Sequence, residues 1–362
     1  MKILYITTEG ISSTVFYSQV YSLCKNIKST GINIKILNFQ KVPFNIASKQ
    51  TRHLFEKSLI KTIFYKEFNT GLAKKIEKYI DIENCILHCR NPHAALLGLK
   101  VRSKYPKVNV IYDVRGISEL EHIFHGNRQR AEEYGNINRK IFNTQNIFYS
   151  FISNGLKQYY ERKYNVKLNK SVICPSVYND KDFIDYSYSP LDHRKKFIYI
   201  GGNQQYQNIE NIIDAFKNSR DKLVIITHNK IAKPSVSSNI EFYSNLKPNE
   251  IFKIAQKCDF GIIHRSNDLF NMVATPTKIS EYWGNGLQIL AINNAGAFSD
   301  EILKNERLGI VVPENQFHST VNQLSPPSQN DKLFIREFAE KNYSLSKNTK
   351  NYIELYHEIF NI

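Results

Sequence analysis

The chain has 362 residues, of which 42% are hydrophobic and 23% charged, with only 15 Gly and 11 Pro. This is the balance of soluble globular domains, and it excludes disorder, collagen-like repeats and low complexity. The formal net charge of +16 is lopsided: residues 1–180 hold 28 Lys and Arg against 13 Asp and Glu, whereas residues 181–362 hold 21 against 20. The first half therefore either faces an anionic partner (nucleic acid, a membrane surface or a phosphorylated substrate) or is simply a solvated basic surface.

The length, about two to three times that of a usual single domain, predicts two domains. The longest uncharged stretches, Ile141 to Leu156 and Tyr282 to Ser299, are broken by Asn and Gln, so no bilayer-spanning helix is expected. The amino terminus runs from Met1 straight into a strand pattern without the apolar region of a signal peptide, which makes the cytoplasm the expected compartment. Five scattered cysteines, Cys24, Cys85, Cys89, Cys174 and Cys258, describe no disulfide framework and are expected reduced. Cys85 and Cys89 flank His88, but no second pair at zinc spacing accompanies them.

In chain order, a strand at Lys2 to Thr7 is followed by a Gly10-Ile11-Ser12-Ser13 turn, a helix from Val15 to Ser29 and a strand from Asn33 to Leu37. Helical patterns at Leu54 to Phe68 and Gly71 to Ile80 interleave Phe55, Leu59, Ile63, Leu72, Ile76 and Ile80 with Lys57, Lys61, Lys66, Lys74, Lys75 and Lys78, a composition that suits either an interfacial helix or, as is commoner, one packed on the core. Further short strands are read at Cys85 to His88, Val108 to Tyr112, Phe148 to Ile152 and Ser171 to Cys174. After a polar stretch, Tyr178 to Arg194, the same grammar restarts at Phe197-Ile198-Tyr199-Ile200-Gly201-Gly202. It continues with strands at Leu223 to Thr227, Ile240 to Tyr243, Phe260 to His264, Gln288 to Ala291 and Gly309 to Val312. Two helices close the chain, the last placing Tyr352, Leu355, Tyr356 and Ile359 on one face. Strands alternating with helices imply parallel sheets covered on both faces. Two such domains in succession, residues 1–185 with 346–362 and residues 195–345, imply a cleft between the carboxyl ends of their sheets as the binding site.

The segment Cys258-Asp259-Phe260-Gly261-Ile262-Ile263-His264-Arg265 is followed by Asn271-Met272-Val273-Ala274-Thr275-Pro276-Thr277-Lys278-Ile279-Ser280-Glu281-Tyr282-Trp283-Gly284-Asn285-Gly286-Leu287-Gln288-Ile289-Leu290. Together they resemble the donor-binding signature of GT-B glycosyltransferases, family 4 in particular. Ile86-Leu87-His88-Cys89-Arg90, Ile111-Tyr112-Asp113-Val114-Arg115-Gly116 and Phe151-Ile152-Ser153-Asn154-Gly155-Leu156-Lys157 resemble strand ends of the family's first domain. The resemblance implies an α/β fold of two Rossmann-like doubly wound domains facing across a cleft, an amino-terminal acceptor-binding domain, a carboxyl-terminal nucleotide-sugar-binding domain and a final helix returning to the first. It also implies a retaining, hexosyltransferase-like transfer of sugar from a nucleoside diphosphate to a hydroxyl of a glycan or lipid-linked acceptor, as in assembly of bacterial capsule, O-antigen or another surface glycan. In that family a glutamate on the helix after the Pro-Thr-Lys loop holds the donor ribose; here it would be Glu281.

The physical chemistry of a diphosphate calls for helix N-termini, exposed backbone N–H groups and cations. Pro276 and Thr277 stand where a helix can begin and be capped, and Lys278 falls in its first turn, where a cation opposes the helix dipole unless it meets an anion. The bland alternatives are a solvated lysine and an ordinary Lys278–Glu281 surface pair. Arg265 closes a strand at its carboxyl end and suits bidentate phosphate binding, and Gly201, Gly202 and Asn203 are expected to bring backbone close to the phosphates. Arg115, Glu119, Arg265 and Lys278 are thus the expected catalytic residues. Gly10, His88, Arg90 and Asp113 are the candidate sugar or acceptor contacts; for Arg115 and Glu119 the alternative is a structural ion pair at the cleft rim. No bound metal or cofactor is expected, with Arg265 and Lys278 supplying the positive charge.

The chain departs from the family pattern at three places. Val273 stands where many members carry the first of two glutamates, Asn203-Gln204-Gln205-Tyr206-Gln207-Asn208 stands where many carry an arginine and a lysine, and only Glu9-Gly10 stands where many have two glycines. The partners implied are the nucleotide-sugar, the acceptor and the anionic inner face of the cell membrane, with no nucleic acid. The rival readings are a nucleotide-sugar epimerase or hydrolase on the same scaffold and a noncatalytic nucleic-acid-binding protein, for which no recognised motif is present.

Overall fold

A computed structural model describes residues 1–41, 55–80, 85–182, 194–202, 208–227 and 238–360. The chain divides into two compact units, Met1–Pro175 with Asn348–Ile362, and Ser176–Lys347. The stretch after Pro175, which the sequence assigns to the first domain and linker, joins the second unit because Tyr178 is buried there. The Tyr178 N–H donates to Tyr343 O at 3.2 Å, and its C=O accepts from the Leu345 N–H at 2.9 Å.

The first unit holds a seven-stranded sheet in the order β3-β2-β1-β4-β5-β6-β7. Its strands are β1 (Lys2–Thr7), β2 (Asn33–Lys41), β3 (Ile60–Tyr65), β4 (Cys85–Arg90), β5 (Asn109–Val114), β6 (Phe148–Phe151) and β7 (Ser171–Ile173). All pairings are parallel. The central strands read as nearly continuous apolar runs because helices cover both faces. Register aligns Thr7 with Arg90, Arg90 with Asp113 and Asp113 with Ser150, so these four form one row at the carboxyl edge. Tyr5 and His88 lie two residues behind, on the same face.

The second unit holds a six-stranded parallel sheet in the order β10-β9-β8-β11-β12-β13. Its strands are β8 (Lys196–Ile200), β9 (Lys222–Thr227), β10 (Ile240–Ser244), β11 (Phe260–His264), β12 (Gln288–Ile292) and β13 (Gly309–Val312). Separate apolar clusters line its two faces, one around Trp283 and Tyr282, the other around Phe197 and Phe216. In both sheets the strand order reverses beside the first strand, between β1 and β4 and between β8 and β11, which is where open α/β sheets bind ligands.

One expected helix is absent. The segment read as helical over Leu54 to Phe68 contains β3, which pairs with β2 from Ile60↔Ile36 to Tyr65↔Lys41; residues 51–54 lie outside the described residues. The β-branched run Ile60, Thr62, Ile63 favours a strand, and the open edge of β2 supplies the partner backbone. The second segment, Gly71 to Ile80, carries only a short helix, Ala73–Glu77. Phe55, Leu59, Ile63 and Ile76 are buried in the core while Lys57, Lys61, Lys66, Lys74, Lys75 and Lys78 are exposed, so the interfacial helix read from this stretch is corrected to a lysine-rich surface over a packed core. Among the described residues, no helix is long and apolar enough to cross a membrane.

Candidate functional site

In the second unit the site grows from the place where β8 and β11 part. The two strands pair at Phe260↔Phe197 and Gly261↔Ile198. Beyond that the Tyr282 hydroxyl bridges them, accepting from the Ile200 N–H at 2.8 Å and donating to Ile262 O at 3.4 Å. Tyr282 reaches this position only because Gly261 has no side chain: a Cβ there would stand 2.3 Å from the Tyr282 ring. The helix Thr277–Gly284 is thereby seated on one face of the sheet, and Trp283 pins its far end by donating from Nε1 to Leu308 O at 2.9 Å.

That seating fixes the expected donor residues. Pro276 occupies the cap position without a side-chain cap bond, and Thr277 is the first helical residue; the sequence places the same pair one position later. Lys278 follows in the first turn, its Nζ 4.6 Å from the centroid of the Tyr199 ring. Burial, and secondarily the Arg265 guanidinium, pull the Lys278 pKa down to about 7, with Glu281 opposing them. The structure thus brings Arg265 and Glu281 each within electrostatic reach of Lys278. Arg265, directly after β11, donates from Nη1 to Asn271 Oδ1 at 2.7 Å, and Asn271 in turn donates to Ser266 Oγ at 3.0 Å. Asn271, buried in the short helix Leu269–Met272, is an orienting residue that the sequence reading missed. Gly201 and Gly202 follow β8, with the Gly201 N–H donating to Ile226 O at 3.0 Å and Gly202 O accepting from the Tyr199 hydroxyl at 2.7 Å. Asn203 lies outside the described residues.

One step from Arg265, His264 Nε2 stands 3.3 Å from Glu314 Oε1, which also accepts from Asn208 and Asn211 at 3.2 and 2.8 Å. Burial lowers the pKa of this histidine, against the pull of Glu314.

The candidates of the first unit form two clusters. Asp113, wholly buried, is the hub of the larger one. Its Oδ2 accepts from the Tyr5 hydroxyl at 3.2 Å and lies 3.5 Å from Arg90 Nη1 and 3.7 Å from His88 Nε2. Its Oδ1 lies 3.5 Å from Arg115 Nη1 and accepts from the Tyr352 hydroxyl at 3.4 Å. Burial alone would raise the Asp113 carboxyl, yet Arg115, His88 and Arg90 together hold it well below the usual carboxylate range. His88, depressed by burial, has its Nδ1 2.7 Å from the Tyr356 hydroxyl. Arg90 also donates to Glu9 Oε1 at 3.3 Å. Gln19 joins the two guanidiniums, its Oε1 accepting from Arg90 Nη2 at 2.8 Å and Arg115 Nη2 at 3.0 Å. Gln19, Tyr352 and Tyr356 carry no motif that would mark them in the sequence as site residues. The sequence expects sugar or acceptor contacts from His88, Arg90 and Asp113. Their exposures are 0%, 3% and 0%, because the last helix, Leu345–Phe360, covers their row of the sheet, so they support Arg115 rather than present themselves.

Glu119 belongs to the second cluster. Only 4% exposed, it accepts from Lys163 Nζ at 2.8 Å and from the hydroxyls of Tyr160 and Tyr164, both at 3.4 Å. That set of bonds anchors the helix Ser118–Phe124, a structural duty where the sequence expects a catalytic one. Gly10 is exposed, in a turn closed by the Ser13 N–H donating to its carbonyl at 2.9 Å. The chain contains one Asp-x-Asp triplet, Asp180-Lys181-Asp182, and Asp180 is engaged by the N–H and hydroxyl of Ser346.

No protein-family model and no curated protein matches the chain. Solved structures do. A glycosyltransferase from Rickettsia africae is 16% identical with a TM-score of 0.72, covering 99% of this chain and 98% of its own. HepE from Anabaena in complex with UDP-glucose is 12% identical with a TM-score of 0.68, covering 99% and 100%. A trehalose-6-phosphate synthase, an enzyme of glycosyl transfer with retention, is 8% identical with a TM-score of 0.68, covering 99% of each chain. At such identities the likeness is one of fold: two parallel α/β units with the last helix returned to the first, the GT-B fold.

Proposed function

We propose that the chain is a retaining glycosyltransferase that moves a hexose from a nucleoside-diphosphate sugar to a hydroxyl of a glycan or lipid-linked acceptor, in the assembly of a bacterial surface glycan. The observation that carries this reading is Arg265 directly after β11 with Lys278 over Tyr199 of β8, Lys278 lying where burial and Arg265 disfavour its charge and Glu281 favours it. At that pKa Lys278 is only partly charged near neutral pH, and a diphosphate, with two negative charges, would draw the proton onto it and be held by it. The UDP-glucose bound by HepE, a protein of the same fold, supports the choice of ligand class.

In this reading Lys278, Arg265 and the backbone of Gly201, Gly202 and Thr277 hold the diphosphate, and Glu281 holds the ribose. As the glycosidic bond to the diphosphate breaks, charge builds on the leaving oxygen, and the two cations stabilise that charge more than they stabilise the bound donor. They fill the role of a divalent ion, so transfer proceeds without bound metal. Arg115, buttressed by Asp113, Arg90 and Gln19, faces the acceptor side. The exposed lysines of the first unit suit an acceptor held at the anionic inner face of a membrane.

A thermal-shift screen against UDP-, GDP-, TDP- and CMP-sugars tests the reading. One nucleotide should raise the unfolding temperature of the parent, and Glu281→Ala and Lys278→Ala should each lose that rise, since a ligand that binds only the folded state adds apparent stability. A rise that survives in both variants removes the site from consideration.

A further inference from the structure

In the first unit the residues Phe16–Tyr21 form a π-helix, a rare geometry, in which the Ser22 N–H donates back to Tyr17 O. Phe16, Val20 and Tyr21 anchor this turn in the core, while Gln19 sets one amide oxygen between Arg90 and Arg115. The oxygen is a neutral acceptor, so it orients both guanidiniums without adding a second carboxylate to Asp113, which the two share. Arg90 is enclosed, with 3% of its side chain exposed, whereas Arg115 keeps 15% exposed at the carboxyl edge of β5. Asp113 and Cys174 O, the latter accepting from Arg115 Nη1 at 3.1 Å, grip the guanidinium from the sheet side. All of this stands beside the reversal between β1 and β4, the ligand-binding edge of such a sheet.

We infer that this edge binds a phosphate group carried by the acceptor, with Arg115 gripping the phosphate and Gln19 acting as the positioning residue that aims it. The word acceptor rests on the transferase reading; the phosphate site itself does not. A guanidinium fixed in its plane by three oxygens matches a tetrahedral oxyanion better than a mobile lysine does. The phosphate has two sources with the same chemistry, a soluble sugar phosphate and a lipid phosphate.

The decisive variant is Gln19→Glu, which keeps an acceptor oxygen in place but turns it into a carboxylate between two cations. Were Gln19 only structural, the added ion pairs would leave phosphate binding as it was. The test is run in the full chain carrying Lys278→Met, so that the second unit does not supply the phosphate site. Inorganic phosphate should raise the unfolding temperature of that protein, and Gln19→Glu and Arg115→Gln should each weaken its apparent Kd about tenfold. Without phosphate, Gln19→Glu should melt no lower than its parent, which keeps the test open even if Arg115→Gln folds poorly.

A second arm uses flotation with phosphatidylcholine vesicles containing phosphatidic acid. Binding there, lost in Gln19→Glu, assigns a lipid phosphate, whereas a response to inorganic phosphate alone assigns a soluble one. Equal phosphate binding by Gln19→Glu and its parent, or no response of the parent to either probe, overturns the proposal. The response of the unaltered chain to UDP-sugars reads the second unit independently, so either proposal can fail while the other stands.

Discussion

Lys278 stands at the second position of a helix whose dipole opposes its charge, beside a guanidinium that opposes it again. With its pKa lowered to about 7, the cost of keeping Lys278 charged in the fold is fully present below that pH and is relieved as the pH rises from about 7 toward the ordinary lysine value. A bound diphosphate reverses the preference and draws the proton back. Binding of the cognate nucleotide-sugar at pH 8 should therefore take up a fraction of a proton, and the uptake should vanish near pH 6, where Lys278 is already charged. Affinity should weaken as the pH climbs from 7 to 9. Calorimetry in buffers of different ionisation heat measures the uptake, and Lys278→Met should abolish it. A proton stoichiometry of zero in the parent at pH 8 would mean that the ammonium does not meet the phosphates.

The helix Thr277–Gly284 delivers Lys278 and Glu281 together, and its seat depends on Gly261 more than on any residue of the helix itself. Gly261→Ala forces the Tyr282 ring out of the gap between β8 and β11, and with it the hydroxyl that serves Ile200 and Ile262. The expected cost is about 1–3 kcal/mol, the usual range for overpacking a core. Urea unfolding should show this cost, together with weaker nucleotide-sugar binding; unchanged stability would mean that Tyr282 repacks without loss. The helix Thr277–Gly284 was legible in sequence because Pro276, Thr277, Lys278 and Glu281 are local signals that travel with a helix start. The β-strands were legible for the same reason, as short apolar runs between turn residues. Leu54 to Phe68 was not, since a short amphipathic run fits either period and the open edge of β2 decides between them. Nor was the role of Gln19, which depends on a π-turn closing next to two strands that sit far from it in the chain.

At the scale of the whole molecule the chain is discontinuous in one unit only: the first is completed by residues that follow the second. Several bonds made by that returning segment fall on or just behind the row that holds the first unit's charges. Tyr352 donates to Asp113 Oδ1 and shares a 3.1 Å bond with Ser150 Oγ, Tyr356 meets His88 Nδ1, and Thr349 Oγ1 accepts from Asn26 at 3.2 Å. Leu355 and Ile359 add buried apolar surface. The double substitution Tyr352→Phe and Tyr356→Phe keeps the rings and that packing but removes both hydroxyls, leaving wholly buried acceptors with fewer partners at about 1–3 kcal/mol each. The loss should stay local. Hydrogen exchange should rise in β4, β5 and β6, which these hydroxyls tie together. Exchange in β8, β11 and β12, and the thermal response to the nucleotide-sugar, should match the parent, because the bonds of the two hydroxyls go to Asp113, Ser150 and His88 of the first unit. Equal loosening of both sheets would instead make the last helix a support of the entire fold, and Arg115 could then no longer be tuned apart from the donor site.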